Sequence, residues 1–293
     1  MEFFRPANEA ELRSVYEVFY QNELLDNSHL PSPGDIPPYL SHVLHTGTLY
    51  VAEKDGKILA FAGAITRGNV SFLTDLFVLP SYQSGQLGKT LLRSVLPQDD
   101  LIHCTMSSND PRALALYIRA GMRPQWPHFA LRLEKSTHVW SVAPDMDVIE
   151  ADPDDLALIS WDAQISGRLR SADHQFWVRE ERAVPLWFRR QGQTVGYGYV
   201  RFGAEALSGP QSCTLGPIGA RTPEDATACV LAAVNWAVQR TVVLHIDVPG
   251  PHPCLATLLE CGFRIISFDT FVSTAITPFF DAWCYIASGG DLL

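Results

Sequence analysis

No stretch of the 293-residue chain reaches the run of about 18 uncharged apolar residues that a membrane span needs, and the first residues, MEFFRPANEAELRSV, show no basic run followed by an apolar one. Secretion and membrane insertion are therefore not expected, and the sequence reads as cytoplasmic. Cysteine is sparse and unpatterned. Cys104, Cys213, Cys229, Cys254, Cys261 and Cys284 form no C-x-x-C pair and mostly stand in apolar runs, which points to buried reduced thiols and to no metal site. Positive charge is the third shortage. With 22 Lys and Arg against 32 Asp and Glu, the formal net charge of −10 has the wrong sign for a nucleic-acid partner, whose phosphates demand a basic face.

What is present is a globular composition: 47% hydrophobic residues suffice for buried cores, and the length corresponds to about two domains. One stretch organises the first half, Leu73 to Val95, reading LTDLFVLPSYQSGQLGKTLLRSV. Leu73, Leu76, Phe77 and Val78 make an apolar strand, Pro80 ends it for want of an N–H, and Leu87, Leu91, Leu92 and Val95 recur at helical spacing. A glycine-containing turn that opens a helix offers unsatisfied backbone N–H groups and the positive end of the helix dipole to an anion. Gly85 and Gly88 carry no Cβ, and Gln83, Ser84, Lys89 and Thr90 add donors at the same point, so the turn can hold a phosphate or serve as a plain helix start.

The longer string Val78-Leu79-Pro80-Ser81-Tyr82-Gln83-Ser84-Gly85-Gln86-Leu87-Gly88-Lys89-Thr90 resembles the acyl-CoA signature of the GNAT acetyltransferases, V-x-P-x-x followed by [Q/R]-x-x-G-x-[G/A]. It departs from that pattern at Gln86, where the first motif glycine is usual; the side chain either narrows the loop or points outward. The resemblance implies that the loop N–H groups from Gln83 to Thr90 hold the pyrophosphate of acetyl-CoA, and that the strand before it splays to admit the pantetheine arm. A second segment, Ser108-Asn109-Asp110-Pro111-Arg112-Ala113-Leu114-Ala115-Leu116-Tyr117-Ile118-Arg119-Ala120-Gly121-Met122, reads as a helix capped by Asn109 or Asp110 and ended by Gly121. It is similar to the GNAT N-x-x-A-x-x-L-Y-x-x-x-G-[F/M] segment, one residue longer before the tyrosine. By that resemblance Asn109 contacts pantetheine and Tyr117 protonates the leaving thiolate. Asp75, a carboxylate inside the apolar strand, is the candidate general base, with a solvent-facing or merely hydrogen-bonded role as the alternative. Backbone N–H groups of Phe77 and Val78 would receive the acetyl oxygen.

Elsewhere in the first half, Phe3–Arg5 reads as a strand, Asn8 as a helix cap, and Thr48–Glu53 with Lys57–Arg67 as a hairpin across Asp55-Gly56. Leu101–Met106 is expected to lie parallel to Val70–Val78. A helix near Tyr39–Leu44 lines the acceptor pocket in the resembled family, which makes His29, His42 and His45 candidate contacts or ordinary structural histidines.

From Val148 to Thr274 the order of elements repeats: strand, helix, a hairpin across Gln191-Gly192, the strand Cys213–Ala220, a helix begun by Thr222-Pro223, and the strand Thr241–Val248. The expected fold class is α/β (α+β): two tandem GNAT-like domains, 1–136 and 145–293, joined by a linker at 137–144, each a mixed, mostly antiparallel twisted sheet flanked by helices. The short turn at Ala220–Thr222 has no phosphate cradle, so the second domain is read as degenerate. Its Asp162, Arg170 and Asp247 are candidate acceptor-binding residues, the acids suiting a cationic amine, with a structural ion pair or a capped end as the alternative for each. The resemblance implies an N-acetyltransferase acting on a small-molecule primary amine, as monomer or homodimer, with acetyl-CoA as donor. The alternative is a non-catalytic module of the same fold that binds acyl-CoA or a small ligand.

Overall fold

The computed structural model describes residues 3–26, 33–83, 86–97, 100–134, 146–202, 212–290 and 292–293, so the predicted linker at 137–144 and His29 lie outside the described residues. The chain divides into two compact units, Met1–Thr105 and Met106–Leu293.

In the first unit, Arg5 of β1 (Phe3–Pro6) bonds Glu11 and Glu53, each at 2.5 Å, tying the strand to the turn behind it and to β2 (Thr48–Lys54). Asn8 caps that turn as the sequence suggests, in a reciprocal box with Glu11. Helices α1 (Leu12–Asp26) and α2 (Pro38–Thr46) follow, then β2, β3 (Lys57–Arg67), β4 (Val70–Val78), α3 (Leu87–Val95) and β5 (Ile102–Ser107). Asp55, at φ 52°, and Gly56, at φ 77°, form the two-residue turn of the β2–β3 hairpin. Eight consecutive residues of β3, Ile58 to Ile65, are buried, so the sheet is covered on both faces. On one face Phe19 of α1 meets Phe77 edge-on at 5.1 Å. Helix α3 contributes its buried stripe of Leu87, Leu91, Leu92 and Val95, at about 1.5–3 kcal/mol per side chain removed from water.

The second unit begins with α4 (Pro111–Arg119) and β6 (Arg123–Glu134). There follow β7 (Met146–Glu150), α5 (Leu156–Ser166), α6 (Ser171–Arg179), β8 (Val184–Arg190), β9 (Gln193–Arg201), β10 (Ser212–Ala220), α7 (Pro223–Val238), β11 (Val243–Pro249), α8 (Cys254–Glu260), β12 (Arg264–Ser273) and β13 (Tyr285–Ile286). The run from β7 to β11 repeats the run from β1 to β5 element by element. The sequence-based boundary at 136 falls inside this unit. Strand β6 pairs along its length with β11 on one side and β12 on the other, so residues 106–134 build on the second half of the chain. A core of Leu131, Leu133, Phe188, Leu215, Val230, Val234, Ile246 and Leu258 fills the space under α7 and α8. The class is mixed α/β with mostly antiparallel pairing; β4/β5 and β10/β11 run parallel.

Beneath α5 and α6 lies a fully buried polar cluster. Arg170 grips Asp162 through two bonds, at 2.6 and 2.7 Å, while Tyr197 donates to Asp162 and His174 lies 3.2 Å from it. Burial alone would raise the Asp162 carboxyl, but the Arg170 guanidinium and His174 outweigh it and hold the acid well below the usual carboxylate range. Removing one member of such a pair strands the other in a dry interior. Asp162→Asn is accordingly expected to lose about 3–5 kcal/mol of stability, read as a fall in the urea midpoint. A midpoint within error of wild type would show that the pair carries no structural weight.

Candidate functional site

The proposed phosphate loop follows a short 3-10 turn at Pro80–Tyr82. Gln83 turns inward: its side-chain nitrogen donates to Asn22 Oδ1 on α1 at 3.0 Å and to the Val78 carbonyl at 3.3 Å, so this residue shapes the loop from below. Asn22 is a supporting residue that the sequence motif does not disclose. Ser84 and Gly85 lie outside the described residues. Gln86 takes the N-cap position of α3, exposed and with no side-chain cap bond, so it points away instead of closing the helix start. Thr90 donates its hydroxyl to the Gln86 carbonyl at 3.0 Å, Leu87 is buried, and Lys89 is exposed. The first turn of α3, with Gly88 in it, thus offers N–H groups without intrahelical partners and holds no acidic residue.

The strand leading to this helix does splay. Strands β4 and β5 pair only from Val70/Ile102 to Leu73/Thr105, and Thr105 Oγ1 donates to the Leu73 carbonyl at 2.8 Å where the ladder stops. Beyond it β4 keeps, among the described residues, a single strand neighbour, β3, and Leu76, Phe77 and Val78 become half-buried. Leu79 N–H bonds back to the Leu59 carbonyl at 2.8 Å, so strand alternation turns the Phe77 N–H toward β3 as well and leaves the Val78 N–H on the open edge. Of the two N–H groups expected to face an acetyl oxygen, Val78 has the orientation for it. Asp75 stands at the mouth of this opening, 5% exposed, accepting hydroxyl bonds from Tyr39 and Thr74. The α2 histidines engage elsewhere: His42 Nε2 lies 3.3 Å from Arg67, and His45 Nδ1 lies 2.8 Å from the Ser41 carbonyl.

In the second unit Asp110, not Asn109, caps α4, accepting from the Arg112 N–H at 2.8 Å and pairing with its guanidinium at 2.7 Å. Those bonds hold the Asp110 carboxyl below its usual range. Asn109 donates to the Phe268 carbonyl of β12 at 3.1 Å and is otherwise exposed. Tyr117 is the buried residue of α4, 6% exposed.

The second unit contains a counterpart of the splay, and it is filled. Strands β10 and β11 pair from Ser212/Val243 to Leu215/Ile246 and then part, but β13 pairs antiparallel with Ile218 and Gly219, and every residue of β10 is buried. The following segment lies directly on Gly216, where a Cβ would come 2.2 Å from the Ala287 carbonyl oxygen. Its last residue is gripped: Arg168 and Arg170 donate to the Leu293 main-chain oxygen at 2.8 and 2.6 Å. The helix that follows, α7, is closed too, for Thr222 caps it and Glu224 and Asp225 put two carboxylates in its first turn. Asp162 and Arg170 pair with each other at zero side-chain exposure, the structural ion pair that the sequence left open beside an acceptor-binding role. Asp247 is half-buried on β11, one residue past its last rung with β10. Five of the six thiols are buried, and no cluster of metal-ligating side chains occurs among the described residues. No helix there is long and apolar enough to cross a membrane.

Residues 45–123 match the family model described as acetyltransferase (GNAT) domain. No curated protein matches the chain. Among solved structures, a proposed acetyltransferase from Pyrococcus horikoshii superposes with a TM-score of 0.74 at 13% identity, over 99% of this chain and 95% of that one. A tandem GNAT protein from the clavulanic acid biosynthesis pathway aligns at TM-score 0.62 and 14% identity, over 94% of this chain and all of the other. A GCN5-related N-acetyltransferase from Sphaerobacter thermophilus aligns at 0.64 and 12%, over 96% of each chain. At such identities these likenesses speak for the fold.

With one splay open and one filled, and one helix start bare and one carrying acids, a single CoA site is expected per chain. Isothermal titration with acetyl-CoA should give a stoichiometry near one; a value near two would mean that β13 and the α7 acids do not exclude the ligand.

Proposed function

We propose that the chain, whose residues 45–123 match the acetyltransferase (GNAT) domain model, is an N-acetyltransferase moving an acetyl group from acetyl-CoA to a primary amine of a small molecule. The observation that carries this reading is the pairing of an open β4/β5 splay with an uncapped, acid-free helix start at α3. Its N–H groups at Gln86, Leu87, Gly88 and Lys89, with the Lys89 ammonium, suit a pyrophosphate. The protein would be a cytoplasmic one.

In this proposal the open edge of β4 receives the pantetheine arm as a further strand-like partner, and the Val78 N–H receives the acetyl oxygen as charge builds there. Asp75 accepts the proton that the acceptor ammonium must lose before its nitrogen can attack. Tyr117 is proposed to protonate the departing thiolate, and Asn109 to contact pantetheine, both by the family pattern that their segment matches.

Release of free thiol from acetyl-CoA, followed with DTNB over a panel of primary amines, tests the reading directly. Amine-dependent release is expected. Binding of acetyl-CoA without turnover on any amine would move the protein to the sensing class. Two substitutions assign the parts. Gly88→Glu places bulk and negative charge at the helix start and should abolish the rise in melting temperature with acetyl-CoA, a rise worth about 2.7 kcal/mol at 100 times the dissociation constant. Tyr117→Phe should keep that rise and cut turnover by roughly 10²–10⁴, the span of general acid catalysis. Unchanged turnover would make Tyr117 a packing residue.

A further inference from the structure

Three elements of the first unit converge on one carboxylate. Asp75 on β4 receives the Tyr39 hydroxyl of α2 at Oδ1, 2.9 Å, and the Thr74 hydroxyl at Oδ2, 2.7 Å. The β3–β4 register slips at this point: Gly63 faces Asp75 and Ala64 faces Leu73, which leaves Thr74 as the inserted residue of a bulge. Bulges bend a strand and re-aim its side chains, and here the effect is to bring a hydroxyl and a carboxylate from adjacent residues into contact. Gly63 is part of the same construction. A Cβ there would lie 2.5 Å from Thr74 Oγ1, 3.1 Å from Val43 Cγ1 and 3.2 Å from Asp75 Oδ2, so any larger residue would push the pair apart.

Exposure then orders the cluster. Asp75 is 5% exposed, whereas Tyr39 is half-buried, so Tyr39 is the more accessible residue of the pair. Several other ionisable groups on the packed elements have partners of their own. On α2, His42 faces Arg67 and Thr46, and His45 faces Ser41 with Glu9 at 3.8 Å. On β3, Arg67 donates to the Thr46 carbonyl at 3.0 Å and Lys57 sits at the hairpin end of the strand. On α1, Arg13 donates to the Gly34 carbonyl at 2.8 Å, and Glu17 is exposed.

We infer that Tyr39 is the group that meets the acceptor amine, and that Asp75 takes the amine's proton through the Tyr39 hydroxyl. The inference rests on the acetyl-transfer reading above. The acceptor ammonium gives a proton to the Tyr39 oxygen as the Tyr39 hydroxyl proton passes to Asp75 Oδ1. Tyr39 ends neutral as it began, Asp75 ends protonated, and the nitrogen lone pair is free. The nitrogen attacks the thioester carbonyl, a C–N bond forms and the C–S bond breaks. Of the two protons the nitrogen loses overall, one leaves through Asp75 to solvent and the other neutralises the thiolate. Tyr39 is then a catalytic residue, and Thr74 and Asp75 act through it, Thr74 by fixing the carboxylate.

The test is Tyr39→Phe in the full chain, assayed with the best acceptor among spermidine, tyramine, L-lysine and glucosamine. The expected result is a fall in kcat of about 10²-fold near neutral pH, with acceptor KM and the acetyl-CoA thermal shift within twofold of wild type. The lost rate should return as pH rises toward the acceptor's own pKa, because deprotonation in solution replaces the relay. Asp75→Asn should show the same profile, and the double variant should be no slower than the slower single one, as for two groups acting as a unit. Wild-type kcat and pH profile in Tyr39→Phe, or a rise in KM alone, would overturn the relay while leaving acetyl transfer intact. Absence of turnover with every amine in the wild-type chain would overturn the reading on which it rests.

Discussion

A pair of parallel strands that part after a few rungs leaves backbone N–H and C=O groups without neighbours, and buried backbone polar groups need partners. Both units are built on such a parting, after Leu73/Thr105 in one and after Leu215/Ile246 in the other. What satisfies the freed edge decides what each unit can do. In the second unit β13 adds itself to β10, the segment after it settles on Gly216, and two arginines hold its end. In the first unit Thr105 answers one carbonyl and Gln83 another, and the remaining edge of β4 from Thr74 to Val78 has β3 alone as its strand partner among the described residues. The same topology thus yields an open edge and a closed one.

Electrostatics follow that division. The bare first turn of α3 is favourable for an anion, while Glu224 and Asp225 of α7 already answer its dipole, and Arg190 pairs with Asp225. Two buried charge pairs of the second unit, Asp162 with Arg170 and Glu181 with Arg201, are matched within the protein, the latter at 2.5 Å. A matched buried pair resists rearrangement because separating it costs more than forming it gains. Asp162, offered by the sequence as an amine contact, is here bound to Arg170, which also donates to the Leu293 oxygen.

Local signals were readable where one residue determines one bond. Asn8, Thr222 and the Gly-Pro punctuation mark their turns and helix starts, and the stripe on α3 and the parallel pairing of residues 101–106 with β4 appear as expected. The repeat of element order was legible for the same reason, since each strand, turn and helix has its own periodicity. Long-range choices were not. Residues 106–134 read as the end of a first domain because their motif continues the loop upstream, yet β6 finds its partners in β11 and β12, more than 100 positions away. Strand β13 is two residues long and carries no period at all; α6 follows Gly167 and Arg170 with a mixed face that hides its pattern. Within the site, of the two cap candidates Asn109 and Asp110, the cap is Asp110, one residue before Pro111.

The Thr74–Asp75 bulge illustrates why chemistry is harder to read than fold. In an alternating strand Thr74 and Asp75 point to opposite faces, and no periodicity argument would bring their side chains together. The slip of register against Gly63 does so, and it works only because position 63 lacks a Cβ. From the sequence Gly63 looks like a weak point in an apolar strand, and Tyr39 looks like one more residue of a short helix behind a proline-rich turn. Joined by the bulge, they leave Asp75 no longer a lone acid in a greasy strand: it is buried at the mouth of the open edge, with two hydroxyls already committed to it. A carboxylate so held is oriented before any ligand arrives, and that orientation, more than its identity, is what a proton transfer across a hydrogen bond requires.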